Sequence, residues 1–80
     1  MSTFHFDIES DGAATTEVVE AASEQAAIRQ ALLLMSEIVR DRALSKGGHA
    51  IVVNLTVRDA GGLTIWSGSA SGDQDPGAPA

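Results

Sequence analysis

The chain has 80 residues, no cysteine and a formal net charge of −6. That length holds one small domain, and the missing thiols exclude disulfide scaffolds, Cys-ligated zinc, iron–sulfur clusters and thiol catalysis. Five cations against eleven carboxylates repel a phosphate backbone, so the composition speaks against nucleic-acid partners and against anionic membrane surfaces.

The start, Met-Ser-Thr-Phe-His-Phe-Asp, carries neither a basic region nor an apolar signal core. The longest apolar stretch, residues 31–35, is far short of the ~20 residues that span a bilayer. The expectation is a soluble, cytoplasmic protein, which the lack of cysteine suits.

Phe4, Phe6 and Ile8 alternate with His5, Asp7 and Glu9, a period of two that marks a strand with one buried face. Ser10-Asp11-Gly12-Ala13 is a turn signal. Residues 15–20 hold the β-branched pairs Thr15-Thr16 and Val18-Val19 and form a candidate short return strand, although adjacent valines cannot share a face. Ser23 then suits an N-cap with Glu24 in the first turn. Residues 23–45 run without Gly or Pro, and Lys46 followed by Gly47-Gly48 supplies the stop. On a helical wheel Ala27, Ile28, Ala31, Leu34, Met35, Ile38 and Val39 share one side, with Leu32 at its margin. The opposite side carries Arg29, Gln30, Leu33, Glu37, Arg40 and Leu44.

Ile51, Val53, Leu55 and Val57 alternate with Val52, Asn54, Thr56 and Arg58, giving a firmer strand. Asp59-Ala60-Gly61-Gly62 suits a type I turn closed by a left-handed glycine, and residues 63–67 return. A bulge at Gly62 would pair Val57 with Ile65 on the buried face and turn Trp66 outward beside Thr64, Val52 and Thr56. A register shifted by one residue would place Trp66 in the core instead. Residues 69–80 contain no apolar side chain larger than alanine and read as a disordered tail.

The expected fold is therefore α+β, a two-layer sandwich of one long helix on a small, mainly antiparallel sheet, in the order β-(β)-α-β-β. Residues 1–68 form the domain and residues 69–80 the tail. A parallel pairing of the first and third strands through a right-handed crossover is one arrangement; the sequence leaves the strand order open.

The opening Phe4-His5-Phe6-Asp7-Ile8 with Asp11-Gly12 resembles the F-F-D-I-x-D-G start of a family of short, uncharacterised bacterial proteins, a domain of unknown function. Ala26-Ala27, Ala31-Leu32 and Glu37-Ile38-Val39-Arg40-Asp41 resemble that family's A-A-x-x-x-A-L…E-x-x-R-D helix. Val57-Arg58-Asp59 with Gly62 resembles its V-R-D-x-x-G hairpin. The likeness covers residues 4–66 and departs between Ala13 and Val19, where the family has an acidic D-x-E-G stretch. It implies the fold and no chemistry.

Few residues point to chemistry. Asp7 would suit a general base, but acid–base work needs a positioned partner and none is near it in sequence. His5 and Asp7 share a strand face and His49 opens a later strand, the one ligand-like constellation for a metal. An outward Trp66 marks an interface. Leu33, Glu37, Arg40 and Leu44 form an apolar–charged–apolar stripe suited to helix pairing. There is no nucleophile elbow and no dinucleotide fingerprint, so neither catalysis nor a cofactor is expected. The functional expectation is a small non-catalytic module that self-associates, as a homodimer or higher oligomer, with a further protein partner in view. The alternative is a small-ligand or metal-binding protein using the outer sheet face around His5, Asp7 and His49.

Overall fold

Alternating apolar residues need a second layer to bury their inward side chains, and the one amphipathic helix supplies it. A computed structural model describes residues 1–10, 12–46 and 51–72, the side chains of residues 43–46 excepted. The elements are β1 (Ser2–Ser10), β2 (Ala13–Ala21), α1 (Glu24–Lys46), β3 (Ile51–Asp59) and β4 (Thr64–Gly72). They form one four-stranded sheet in the order β2-β1-β3-β4, every neighbouring pair antiparallel.

The candidate return strand at residues 15–20 forms and is longer than expected, a full nine-residue strand that pairs with β1 from Ser2↔Ala21 to Ser10↔Ala13. The two valines divide between the faces: Val19 packs against the core, and Val18 lies on the outer face, 65% exposed. Because the chain enters the helix from β2, the crossover makes β2 and β3 parallel to each other on either side of β1. The first and third strands are thus neighbours, but antiparallel.

Phe4, Phe6, Ile8, Ile51, Val53, Leu55 and Val57 fill the inner face, against Ala27, Ala31 and Met35 of α1. Each of the larger side chains contributes about 1.5–3 kcal/mol of burial. Ile28, Ile38 and Ile65, expected in the buried layer, are only half-buried, and Ile38 and Ile65 pack at its margin. Ser23 caps α1: its Oγ accepts the Ala26 N–H at 3.1 Å and its carbonyl the Ala27 N–H at 3.0 Å.

A first correction concerns Trp66. The turn forms as the sequence predicts, with the Gly62 N–H donating to the Asp59 carbonyl at 2.9 Å and Gly62 at φ 91°. The Asp59 carboxylate tightens it by accepting the Gly61 and Leu63 N–H groups. A further irregularity follows, between Val57 and Arg58, so that Arg58 pairs with Thr64 but Val57 pairs with Trp66. Ile65 is the extra residue, and the shift turns Trp66 onto the helix face. Its indole lies across Gly68, where a Cβ would stand 2.6 Å from Cη2.

A second correction concerns the tail. Order expected to stop at residue 68 continues to Gly72, with Ser69, Ala70, Ser71 and Gly72 pairing with Asn54, Val53, Val52 and Ile51. Ladder hydrogen bonds to the buried β3 need no large side chain. Residues 73–80 lie outside the described residues.

Candidate functional site

The pleat that sends Phe4, Phe6 and Ile8 inward sends His5, Asp7 and Glu9 outward. The register sets His5 opposite both Val18 and Arg58, and Asp7 opposite both Thr16 and Thr56. Arg58 is two residues along from Thr56, on the same face as Asp7 and within its reach. Its Nε donates to Asp7 Oδ2 at 2.6 Å and its Nη2 to Asp7 Oδ1 at 3.0 Å. Thr16 Oγ1 adds a third hydrogen bond to Oδ1 at 2.8 Å. The Arg58 hydrogen bond, then that of Thr16, holds the Asp7 carboxyl below its ordinary range, against a small opposing effect of burial. Asp7 in turn raises the pKa of Arg58.

This arrangement is a planar fork on a carboxylate at the centre of a polar sheet face. With two donors already on Oδ1 and one on Oδ2, Asp7 is engaged as an acceptor. Beside it, Glu9, Thr16, Asn54 and Thr56 line an open groove of about 470 Å³. His5 stands on the same face, and His49 lies outside the described residues. Among the described residues no group of three or more His, Cys, Asp or Glu is placed to hold a metal ion.

The helix stripe faces away from the sheet. Leu33 is 62% exposed and Leu32 48%, with Glu37 and Arg40 exposed on the following turns. Leu44 is on the same helix, but its side chain is among those not described. Glu37 and Arg40 also border an open groove of about 450 Å³ with Leu34 and Ile38. Trp66 is not part of an outward patch.

Sequence reasoning missed Arg58 and Thr16 as the partners of Asp7. Alternation alone puts all three on outer faces, but only the strand order brings them together. It also missed the open flank of β2, where Val18 is exposed and Ser10, on the adjacent strand, keeps a buried hydroxyl with no partner among the described residues. Among the described residues no helix is long and apolar enough to cross a membrane.

The profile of a family described as a domain of unknown function, DUF6894, matches residues 3–71. No curated protein and no solved structure matches the chain.

Proposed function

The chain belongs to the DUF6894 family, and we propose that it acts as a small, non-catalytic, cytoplasmic interaction module that self-associates through the outward face of α1. The observation that carries this reading is the pair Leu32 and Leu33, 48% and 62% exposed on a helix whose opposite face is already buried. One and two turns on, Glu37 and Arg40 of one copy can meet Arg40 and Glu37 of another about a two-fold axis. Small size adds to the case, because a domain of this length buries only ~60% of its unfolded surface and is marginal alone.

Sedimentation equilibrium at micromolar concentration tests this reading. A single species near 8.2 kDa refutes it. A dimer that persists in Leu33→Glu moves the interface away from the helix.

A second reading rests on the groove beside Asp7, whose hydroxyl, amide and carboxylate lining suits a small polar ligand. In its metal form it predicts a higher melting temperature with zinc, nickel or manganese, since a ligand that binds only the native state raises it. No shift with any of the three removes that form.

A further inference from the structure

The strand β2 is one of the two edges of the sheet, and α1 approaches it less closely than it approaches β3 and β4. The direction of its backbone groups follows from the hydrogen bonds of the far hairpin. The Asp59 N–H donates to the Leu63 carbonyl, so odd-numbered residues of β3 bond to β4 and even-numbered ones to β1. Through the pairings His5↔Arg58 and Phe6↔Glu17, odd residues of β1 then bond to β3 and even ones to β2. It follows that Ala14, Thr16, Val18 and Glu20 direct their N–H and C=O groups outward. The register of β2 with β1 is unbroken over nine pairs, with no proline or lysine on the strand. Of the devices that usually blunt an edge, only charge is present, at the inward Glu17 and at Glu20, which selects against an acidic strand and for a basic one. The other edge, β4, is bulged.

Beside β2 on the helix side, Ala13, Thr15 and Glu17 are exposed, because the helix stops short of them. Between them and α1 runs a groove of about 270 Å³, floored by Ile8, Leu34 and Ile38. Glu17 and Asp41 stand on its two sides, with Arg42 next to Asp41. Ser10 closes one part of the wall; it is 4% exposed, and its Oγ has no partner among the described residues.

We propose that the outer edge of β2 takes up an extended, basic peptide segment of a partner protein as a fifth strand, with alternate lysine or arginine side chains reaching back over β2 into this groove. Main-chain hydrogen bonds to Ala14, Thr16, Val18 and Glu20 supply affinity, and the groove supplies side-chain selection. Only a long side chain spans the ~5 Å from a neighbouring strand to the groove. Its methylenes lie on Leu34 and Ile38 while its cationic head meets Glu17 and Asp41. The net charge of −6 draws such a segment in. A second copy of this chain fits less well, since its own β2 brings Glu17 and Glu20 and no cation. The groove shares Leu34, Ile38 and Asp41 with the one that Glu37 and Arg40 border, but the edge of β2 and the exposed Leu32 and Leu33 are distinct, so Leu33→Glu and Val18→Pro tell the two readings apart.

The test uses the full chain and a fluorescein-labelled decapeptide of alternating lysine and threonine, read by fluorescence anisotropy. Saturable binding is expected, weakened at least tenfold by Val18→Pro, which removes an outward donor and no ladder bond. Glu17→Gln is expected to weaken it several-fold, and raising salt to weaken it further. A glutamate–threonine decapeptide should not bind, nor should a lysine–threonine peptide N-methylated at every amide, which has no donor for β2 on either edge. The methylated peptide needs no variant, so it decides the matter even where Val18→Pro fails to fold. Absence of saturable binding overturns the proposal, as does equal binding of the methylated peptide. A wild-type dimer that Val18→Pro abolishes also overturns it, because the edge is then filled by a second copy.

Discussion

Gly68→Ala tests the placement of the indole directly. A methyl group at this position would stand 2.6 Å from Trp66 Cη2 and 2.7 Å from Cζ2, whereas carbon atoms pack at about 3.5–4.0 Å. The ring must therefore move by roughly 1 Å, and Trp66 packs against the core, so it does not swing freely. Overpacking of this kind costs about 1–3 kcal/mol. Against it, replacing glycine in an extended strand stabilises by about 0.4–1 kcal/mol through the unfolded chain. The net expectation is a loss of about 1–2 kcal/mol, a fall in melting temperature of several degrees for a domain of this size. In a Trp66→Ala background the clash is gone, and Gly68→Ala should become neutral or stabilising, a coupling of about 1–3 kcal/mol across the cycle. Urea titration of the four proteins measures it. Because Trp66 is the only tryptophan, its emission reports the displacement independently as a shift to longer wavelength in Gly68→Ala. Equal effects of Gly68→Ala in both backgrounds, with unchanged emission, would show that the ring does not lie over Gly68.

Leu55→Ala empties a site that is 1% exposed and is expected to cost about 2–5 kcal/mol; a urea-measured loss below about 1 kcal/mol would mean that β3 faces the other way. Asp7→Asn removes a carboxylate whose folded pKa is depressed, so the stability it contributes is fully present above the ordinary value of 3.8 and is lost as pH falls through the lowered folded value. Urea midpoints of the wild type and this variant should differ at pH 6 and converge toward pH 2; parallel curves would contradict the ion pair. Ser10→Ala removes a buried hydroxyl without a partner among the described residues and is expected to leave stability unchanged or raise it by up to about 1 kcal/mol, whereas a clear drop in the urea midpoint would show the hydroxyl to be engaged.

The parts of the fold legible in the sequence are those where a periodic pattern meets a complete partner layer. β1, β3 and the inner face of α1 lie under or within the helix–sheet contact, so burial follows the pleat and the helical turn. β2 lies at the margin of that contact. Its inward residues Ala13, Thr15 and Glu17 are exposed like its outward ones, so no alternation in polarity was there to read. The Asp59–Gly62 turn was legible because a side-chain acceptor and a glycine at positive φ each leave a local mark. The bulge at Ile65 leaves none, and one unmarked residue is enough to reverse the face of Trp66. The last four residues of β4 lack the apolar side chains that mark a strand in sequence. Gly68 lies beneath the indole, however, and the strand bonds to β3 through its backbone, so small residues are what this position in the sheet requires.

Asp7 shows why the candidate site was harder to read than the core. In the chain it is 51 residues from Arg58, and nothing local announces a partner. The partner follows from strand order, and strand order follows from β2. Had residues 13–21 been a loop, the helix would have left from β1, and a crossover would have made β1 and β3 parallel, with a different register and a different residue across from Asp7. Because those residues form a strand, β1 sits centrally, antiparallel to β3, and Arg58 arrives beside Asp7 with Thr16 on its other flank. The same strand, having supplied Thr16, has no neighbour on its far side. The strand that places the Asp7–Arg58 pair at the centre of the sheet therefore also leaves the backbone of Ala14, Thr16, Val18 and Glu20 open to a partner.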